Sequence, residues 1–214
     1  MSKKVAVILA GSGVFDGSEI NEVVVTLLAL EEQGASYQCF APNIAQAHVI
    51  NHTSGEEHDQ TRNVLEEAAR IVRGNVKDVA ELKADDFDAL IMTGGFGVAK
   101  NLSSFAFKGQ EFDILPCITK TMKSFTQAKK PAGYMCIAPV LLPKVFDGVK
   151  CTIGKDADTA AVITSLGGEH IECNVDEIAV DEEYQIVTTP AYMLAENIKQ
   201  AKLGIDKLVA WICR

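Results

Sequence analysis

An α/β fold, with a mostly parallel sheet between two layers of helices, is predicted by three features of this 214-residue sequence. Continuous apolar runs rich in β-branched residues, such as KVAVILA, are typical of parallel strands buried on both faces. Glycines and then a helical pattern follow the first such run, which predicts strands alternating with helices. Apolar residues make up 48% of the chain, enough for the core of one domain over residues 1–214.

The individual elements are predicted in chain order from the same patterns. Strands are predicted over residues 4–10, 36–42, 88–93, 131–135, 149–153 and 170–173, with a hairpin over 179–189. Helices are predicted over residues 18–34, 61–72, 110–129 (beginning near Pro116), 137–146 and 192–212. Ser18 is expected to cap the first helix and Gly34 to end it. The result is a doubly wound, flavodoxin-like three-layer sandwich, in which ligands bind at the carboxyl ends of the strands.

Charge and cysteine content narrow the classes of partner and compartment. The net charge of −9 and the pI near 4.9 argue against nucleic acid and anionic membranes as partners. No apolar run is long enough to span a bilayer. The six cysteines form no CxxC pair in a chain that can build its own core, which favours a reduced, cytoplasmic protein with free thiols.

Two glycine-rich loops lack the spacing of nucleotide-binding motifs, so no cofactor is predicted. GSGVFDG has no third glycine at the dinucleotide spacing, and GGFGVAK has no Gly-Lys-Ser/Thr. Gly94 and Gly95 in the second loop have two interpretations. They either form a tight turn after a strand, or they let backbone N–H groups approach a developing oxyanion.

The histidines give no metal site. The only His/Glu cluster, HTSGEEH, lacks the HExxH spacing that places two imidazoles on one helical face, so no metal is predicted. His170, in GGEHIEC, is a secondary candidate partner for Cys136. A structural histidine is the favoured interpretation, because nothing local orients the ring as a base.

Cys136 differs from the other cysteines in its position. In PAGYMCIAPVLLPK it ends a predicted strand and leads directly into a predicted helix, as in a nucleophile elbow. The helix N-terminus is expected to stabilise the thiolate and lower the pKa of the thiol. The alternative is a buried structural cysteine.

Glu22 is the predicted partner of Cys136. It falls in the first turns of the helix that follows the first strand, beside the strand end where Cys136 is expected. A carboxyl group buried near a thiolate tends to keep its proton and donate it in a hydrogen bond. Glu19, one turn earlier, is a secondary candidate, and a solvated carboxylate is the alternative for each.

These residues together resemble the DJ-1/PfpI superfamily, and in particular its ElbB branch of isoprenoid-biosynthesis glyoxalase-like proteins. The motifs that carry the resemblance span essentially the whole chain: VAVILAGSGVFDGSEINEVV, IMTGGFGVAKNLSSFA, GYMCIAPVLLPKVFDG, IGKDADTA and IVTTPAYMLAENI. The resemblance implies a homodimer, with residues around 43–87 as a family-specific segment.

For the site, the resemblance implies that Cys136 is the nucleophile and Glu22 the acid. Gly94 and Gly95 match the turn that helps to form the oxyanion pocket, and the Ile137 N–H is the second donor. Many relatives have histidine immediately after the cysteine, whereas this chain has Ile137. That departure weakens the protease and glutaminase interpretations.

Three functions remain open from the sequence. The first is a glutathione-independent glyoxalase that converts a small aldehyde, glyoxal, to the hydroxy acid; protein deglycation is a less favoured interpretation of the same site. The second is a redox sensor that oxidises Cys136 beside a protonated Glu22. The third, an amidotransferase-like hydrolase, lacks the adjacent histidine.

Overall fold

The computed structural model describes residues 2–214 and confirms the predicted α/β fold. Its main sheet has seven strands in the order β3-β2-β1-β4-β5-β9-β8, all parallel except the antiparallel pair β8–β9. A separate two-stranded sheet joins β6 and β7. The strands are β1 (Lys4–Ile8), β2 (Ser36–Ala41), β3 (Val76–Asp78), β4 (Ala89–Met92), β5 (Ala132–Met135), β6 (Lys150–Cys151), β7 (Glu169–His170), β8 (Ala179–Asp181) and β9 (Ile186–Thr189).

Helices cover both faces of the main sheet. They are α1 (Ile20–Glu32), α2 (Val64–Ile71), α3 (Phe105–Lys108), α4 (Pro116–Gln127), α5 (Ala157–Ser165) and α6 (Ile198–Ile212). Short 3-10 helices lie at Val79–Glu81, Ala84–Asp86, Gly109–Glu111, Ala138–Lys144 and Ala191–Met193, and a π-helical turn lies at Val98–Leu102.

The central strand β1 shows why its sequence is apolar without alternation. Ala6 and Ile8 point into the core layer that contains residues of α4, while Val5 and Val7 point into the layer formed with α1 and α6. All four side chains are fully buried. Because successive side chains of a strand face opposite sides, a strand with helices on both faces needs apolar residues at every position.

Several helices begin at residues other than those predicted, because capping side chains fix where each helix starts. The first helix begins at Ile20 with Glu19 as its N-cap, and not at Ser18. The second begins at Val64, because the Asn63 side chain accepts from the first free N–H groups. The terminal helix begins at Ile198, where Asn197 caps the N–H of Gln200, and not near residue 192.

The segment after Cys136 is a 3-10 helix, not the predicted α-helix. It runs over Ala138–Lys144 and contains two prolines, Pro139 and Pro143. Pro139 lies in the first turn, where its missing N–H costs nothing, but Pro143 lies inside the helix. Because Pro143 has no N–H to donate, a regular α-helical hydrogen-bond ladder cannot continue through it.

Two further differences concern the C-terminal third. The helix α5 was not predicted; it begins after Asp156, whose side chain accepts from the N–H of Thr159. The strands β6 and β7 contain two residues each and are shorter than expected. The predicted hairpin is confirmed, since β8 and β9 pair in antiparallel register.

Residues 43–87 combine a long loop with α2, β3 and two 3-10 turns. The loop includes isolated bridges between Ala45 and Asn63 and between Ile50 and Glu57. It packs against the loop that follows β1: the N–H of Ile50 donates to Oδ2 of Asp16 at 2.6 Å. Within residues 2–214, none of the helices combines the length and the apolar character needed to cross a bilayer.

Candidate active site

Cys136 lies on a sharp turn at the carboxyl end of β5. Its φ of +59° is in the left-handed region, which is unusual for a residue with a side chain. The N–H of Cys136 donates to the carbonyl of Thr189 at 3.1 Å, which ties the turn to the end of β9. Only 7% of the residue is exposed. A strained residue of this kind is characteristic of functional sites, where the surrounding contacts offset a cost of about 1–3 kcal/mol.

Glu22 lies in the first turn of α1 and is fully buried. Its Oε2 accepts from the N–H of Gly94 at 2.9 Å, and its Oε1 accepts from the N–H of Tyr192 at 3.1 Å. The same carboxyl group lies beside the thiol of Cys136, since a Cβ on Gly94 would meet both Oε2 of Glu22 and the Cys136 sulfur. The structure therefore brings the two predicted catalytic residues together and fixes the plane of the carboxyl group with two backbone donors.

The proton affinities of this pair are set mainly by burial. Burial raises the pKa of Glu22 to about 7, with a further contribution from the charge of Glu19, while hydrogen bonds from Tyr192, Cys136 and Gly94 act in the opposite direction. A protonated Glu22 is therefore well populated at neutral pH. In that state it can donate its proton in a hydrogen bond to sulfur.

Burial also raises the pKa of the Cys136 thiol above its usual value, and the negative charge of Glu22 raises it further. The expectation that a helix N-terminus lowers this pKa is wrong, because the following 3-10 helix is short and the sulfur is desolvated. The N–H groups of Gly95 and Ile137 oppose the rise. Once Glu22 takes up a proton, its charge no longer disfavours the thiolate.

The two glycines allow a close approach of the chain to this pair. A Cβ on Gly94 would lie 2.8 Å from the Cys136 sulfur and 2.7 Å from Oε2 of Glu22. Gly95 has a φ of +96°, and a Cβ there would collide with the N–H of Glu19 and the carbonyl of Gly17. A hydrogen bond from the N–H of Gly95 counteracts part of the rise in the Cys136 pKa, so this turn approaches the sulfur; the oxyanion interpretation stays a prediction.

Glu19 is not a solvated carboxylate at the start of the helix. It is 8% exposed, and its Oε2 accepts from the N–H of Glu22 at 2.6 Å. Its own N–H donates to the carbonyl of Gly94 at 3.1 Å. Ser18, expected as the cap, instead faces the interior, where its Oγ accepts from the N–H of Ala10 at 2.8 Å.

His170 lies on β7 in the small second sheet. Its Nε2 accepts from the N–H of Ile153 at 3.4 Å, and burial lowers its pKa. Among residues 2–214, no hydrogen bond joins His170 to Cys136. The structure therefore does not bring these two residues into a dyad, and it supports the structural interpretation of this histidine.

Sequence reasoning missed Asn101, which connects three segments around the site. Its Oδ1 accepts from the N–H of Ala47, and its Nδ2 donates to the carbonyls of Ala10 and Asp16. The signal for Asn101 is its burial, because a polar residue that is only 4% exposed needs hydrogen-bond partners. The run GVAKNL does not show that burial in the sequence. Tyr192 was also missed, because it contributes through its backbone.

No group of three or more His, Cys, Asp or Glu side chains within the described part of the chain is arranged to hold a metal ion.

Comparison with known proteins gives relatives over nearly the whole chain, although no family model matches. Human glutamine amidotransferase-like class 1 domain-containing protein 3, mitochondrial, is 44% identical over 216 residues, covering 96% of this chain and 81% of that protein. The mitochondrial ES1 protein homolog of Rattus norvegicus is 43% identical with the same coverage, and the mitochondrial ES1 protein of Danio rerio is 32% identical over 98% of this chain and 85% of that protein.

Solved structures support the same relationship. An isoprenoid biosynthesis protein with an amidotransferase-like domain from Ehrlichia chaffeensis matches with a TM-score of 0.90 and 38% identity, covering 98% of both chains. Drosophila melanogaster DJ-1beta matches with a TM-score of 0.59 over 100% of this chain and 91% of that chain. Its 15% identity supports a shared fold alone.

The names of these relatives correct one prediction. The three relatives described above are all named mitochondrial proteins, which contradicts the predicted cytoplasmic location. The prediction is wrong because it depended on free thiols, and free thiols argue only against an oxidising compartment. They do not distinguish one reducing compartment from another.

Proposed function

Because this chain belongs to the family of ES1 and glutamine amidotransferase-like class 1 proteins, with the fold of the DJ-1/PfpI superfamily, we propose that it is a glyoxalase-like enzyme of the ElbB type. It would convert a small 2-oxoaldehyde, with glyoxal as the simplest case, to the hydroxy acid without glutathione or another cofactor. The observation that carries the proposal is the fully buried carboxyl group of Glu22, which lies beside the Cys136 sulfur and whose pKa is raised by burial to about 7. A group with this pKa can both give and accept a proton at neutral pH.

In the first step the sulfur of Cys136 adds to one aldehyde carbon of glyoxal. An S–C bond forms, the carbonyl oxygen gains negative charge, and the N–H groups of Gly95 and Ile137 stabilise it. The thiol proton passes through Glu22 to that oxygen, which gives a neutral hemithioacetal. Glu22 takes up the thiol proton as a carboxylate and passes it on, so it is a carboxylate again after this step.

In the second step Glu22 moves a proton between the two carbons. As a carboxylate it removes the C–H proton of the hemithioacetal, and the electron pair forms an enediol with the neighbouring carbonyl. Glu22 then gives the proton to that neighbouring carbon. The hydroxyl proton of the sulfur-bearing carbon moves to the neighbouring oxygen, so the first carbon becomes the thioester carbonyl and the second carries the hydroxyl group. One carbon is oxidised and the other reduced, so the product is a glycolyl thioester and no external oxidant is consumed. Water then cleaves the S–C bond, which releases glycolate and the free thiol.

The test is to measure glycolate formation from glyoxal in the absence of glutathione. Cys136→Ala is expected to abolish turnover, and Glu22→Gln to reduce kcat by at least 100-fold, the usual scale of general acid–base catalysis. Cys173→Ala is the matched control, since Cys173 is also a buried free cysteine. Turnover at the wild-type rate in Cys136→Ala would end the proposal.

A redox role is the second candidate, favoured by the same donors. The N–H groups of Gly95 and Ile137 and the acid proton of Glu22 surround the sulfur, where they could also bind the oxygens of a sulfinate. The discriminating measurement is mass spectrometry after mild treatment with hydrogen peroxide. Selective oxidation of Cys136 with negligible glyoxal turnover would support this role over the enzyme.

Glutamine hydrolysis is suggested by the names of relatives but not by this site. Ile137 occupies the position of the expected histidine, and in residues 2–214 no histidine is hydrogen-bonded to Cys136. Release of ammonia from glutamine that Cys136→Ala abolishes would revive this alternative.

The proposal includes a homodimer in solution. Three apolar residues recur at helical spacing on the outer face of α1: Ile20, Val24 and Leu28 are 43%, 50% and 44% exposed. Exposed apolar stripes of this kind favour association. Sedimentation of the wild type and of Val24→Glu tests this assembly, and a monomeric wild type at micromolar concentration would refute it.

A further inference from the structure

A surface cavity of about 390 Å³ lies next to the glycine turn of the candidate site, since its wall includes Phe96, the residue after Gly95. Three segments contribute to the wall: the loop after β1, the loop within residues 43–87, and residues 96–106. The lining residues are Phe15, Ile50, Gly55, Phe96, Lys100 and Ala106, and we call this space the Lys100 cavity. Its volume falls within the range of about 300–1,000 Å³ that is typical of small-molecule sites.

Lys100 is the one charged residue in this wall. It lies in the π-helical turn Val98–Leu102, an element that is rare and frequently found at functional sites. Its Nζ donates to the carbonyl of Phe15 at 2.8 Å. An ammonium group has three donors, and within residues 2–214 no carboxylate forms an ion pair with this one. Lys100 therefore offers the cavity a positive charge with donors left for an anion.

Phe15 and Phe96 supply the apolar part of the wall, and they are 39% and 50% exposed. Neighbouring groups hold Phe15 in place: its N–H donates to Nε2 of His52 at 3.1 Å, and the centroids of the two rings are 4.9 Å apart. The Phe96 ring lies 5.7 Å from Nζ of Lys100. The aromatic surface and the charge are thus positioned together before a ligand binds, which lowers the entropic cost of binding.

The backbone around Phe96 argues against a phosphate as the anion. Phosphates are usually bound by several free N–H groups at a helix N-terminus or a turn. Here the N–H groups of Phe96 and Gly97 already donate to the carbonyls of Val14 and Gly17, both at 2.8 Å. One ammonium group without free N–H groups around it suits a singly charged carboxylate better than a dianion.

We propose that the Lys100 cavity binds a small carboxylate that carries an aromatic or branched apolar body. The carboxylate accepts from Nζ of Lys100, and the apolar body packs against Phe15 and Phe96. Charge-assisted hydrogen bonds of this kind are stronger than those between neutral groups. Cys136 does not line this cavity, so the site does not depend on the proposed glyoxalase activity, and binding can be measured without turnover.

Isothermal titration calorimetry with phenylacetate as the probe tests the site. The wild type is expected to bind it saturably, and Lys100→Met to weaken binding at least about 10-fold, the scale of one lost hydrogen bond to a charged group. Lys100→Arg keeps the charge and is expected to retain binding. Lys108→Met is the matched control, because Lys108 is an exposed lysine that is already paired with Asp113 at 2.7 Å.

Phe96→Ala tests the apolar part at a half-exposed position, where folding does not depend on the ring, and is expected to weaken binding about 3–10-fold. Phenylacetamide has the same body without the charge and is expected to bind more weakly than phenylacetate. No saturable binding by the wild type, or equal affinity in Lys100→Met or for phenylacetamide, overturns the inference. Tighter binding of phenyl phosphate overturns it as well. A dimer that dissociates in both Lys100→Met and Phe96→Ala would assign this surface to a second copy of the chain instead.

Discussion

Replacing Glu22 with glutamine tests whether this carboxyl group is kept protonated by the fold. The pKa of Glu22 is raised from its ordinary value of 4.5 to about 7, because the folded chain buries it. In the unfolded chain the group loses its proton near pH 4.5, whereas in the folded protein it keeps that proton up to about pH 7. The folded state therefore binds more protons between these pH values.

The sign and size of the effect follow from this difference. A group whose pKa is raised by folding contributes stability that is fully present below the unfolded pKa and is lost as the pH rises through the folded pKa. The gap between 4.5 and about 7 corresponds to about 3 kcal/mol of unfolding free energy. Glutamine does not titrate, so the wild type should lose about 3 kcal/mol relative to Glu22→Gln between pH 4.5 and pH 8.

Urea unfolding followed by circular dichroism at half-unit pH steps measures this change. A constant offset in unfolding free energy between the two proteins is also expected. The glutamine amide has one oxygen and cannot accept from both of the backbone N–H groups that donate to Oε1 and Oε2 of Glu22. The prediction is that the difference in unfolding free energy between the two proteins changes with pH. This corresponds to a change of about 1–2 M in the difference between their urea midpoints. Profiles that stay parallel across this pH range would refute the reasoning.

Three further substitutions test the framework of the site by urea unfolding. Gly94→Ala is expected to destabilise the protein by about 2–4 kcal/mol, because the methyl group meets the Cys136 side chain; Gly74→Ala, whose Cβ would point into open space, should cost only about 1 kcal/mol of backbone strain. Ser18→Ala should cost about 1–3 kcal/mol, since it leaves a buried N–H unpaired. Asn101→Ala should cost more than about 2 kcal/mol and accelerate hydrogen exchange in residues 44–52; protection equal to the wild type there would contradict its connecting role.

The sequence was sufficient for the layers of the fold and insufficient for the element ends. Continuous apolar runs such as that of β1 occur only where helices cover both faces of a strand, so the strand itself could be predicted. The start of α1 could not, because the preferred N-cap residues favour Ser18, whereas Glu19 caps the helix in the structure. Only the packed structure shows that Ser18 satisfies a buried N–H in the preceding loop.

The candidate site could likewise be predicted from the sequence only in part. Fold topology alone places Cys136 and Glu22 at the same edge of the sheet, so their proximity could be predicted. The rise in the pKa of Cys136 could not, because desolvation depends on how far neighbouring segments cover the sulfur. Asn101 was missed for a related reason, since its three partners come from segments distant in the sequence.

The hydrogen bonds that hold Glu22 have a consequence for how the site can vary. Both donors are peptide N–H groups, and one of them belongs to Tyr192. A peptide N–H is present in every residue except proline, so the identity of the side chain at position 192 can change while the donor remains. Most substitutions at position 192 therefore leave the orientation of the Glu22 carboxyl group unchanged. Only proline at position 192 would remove this support.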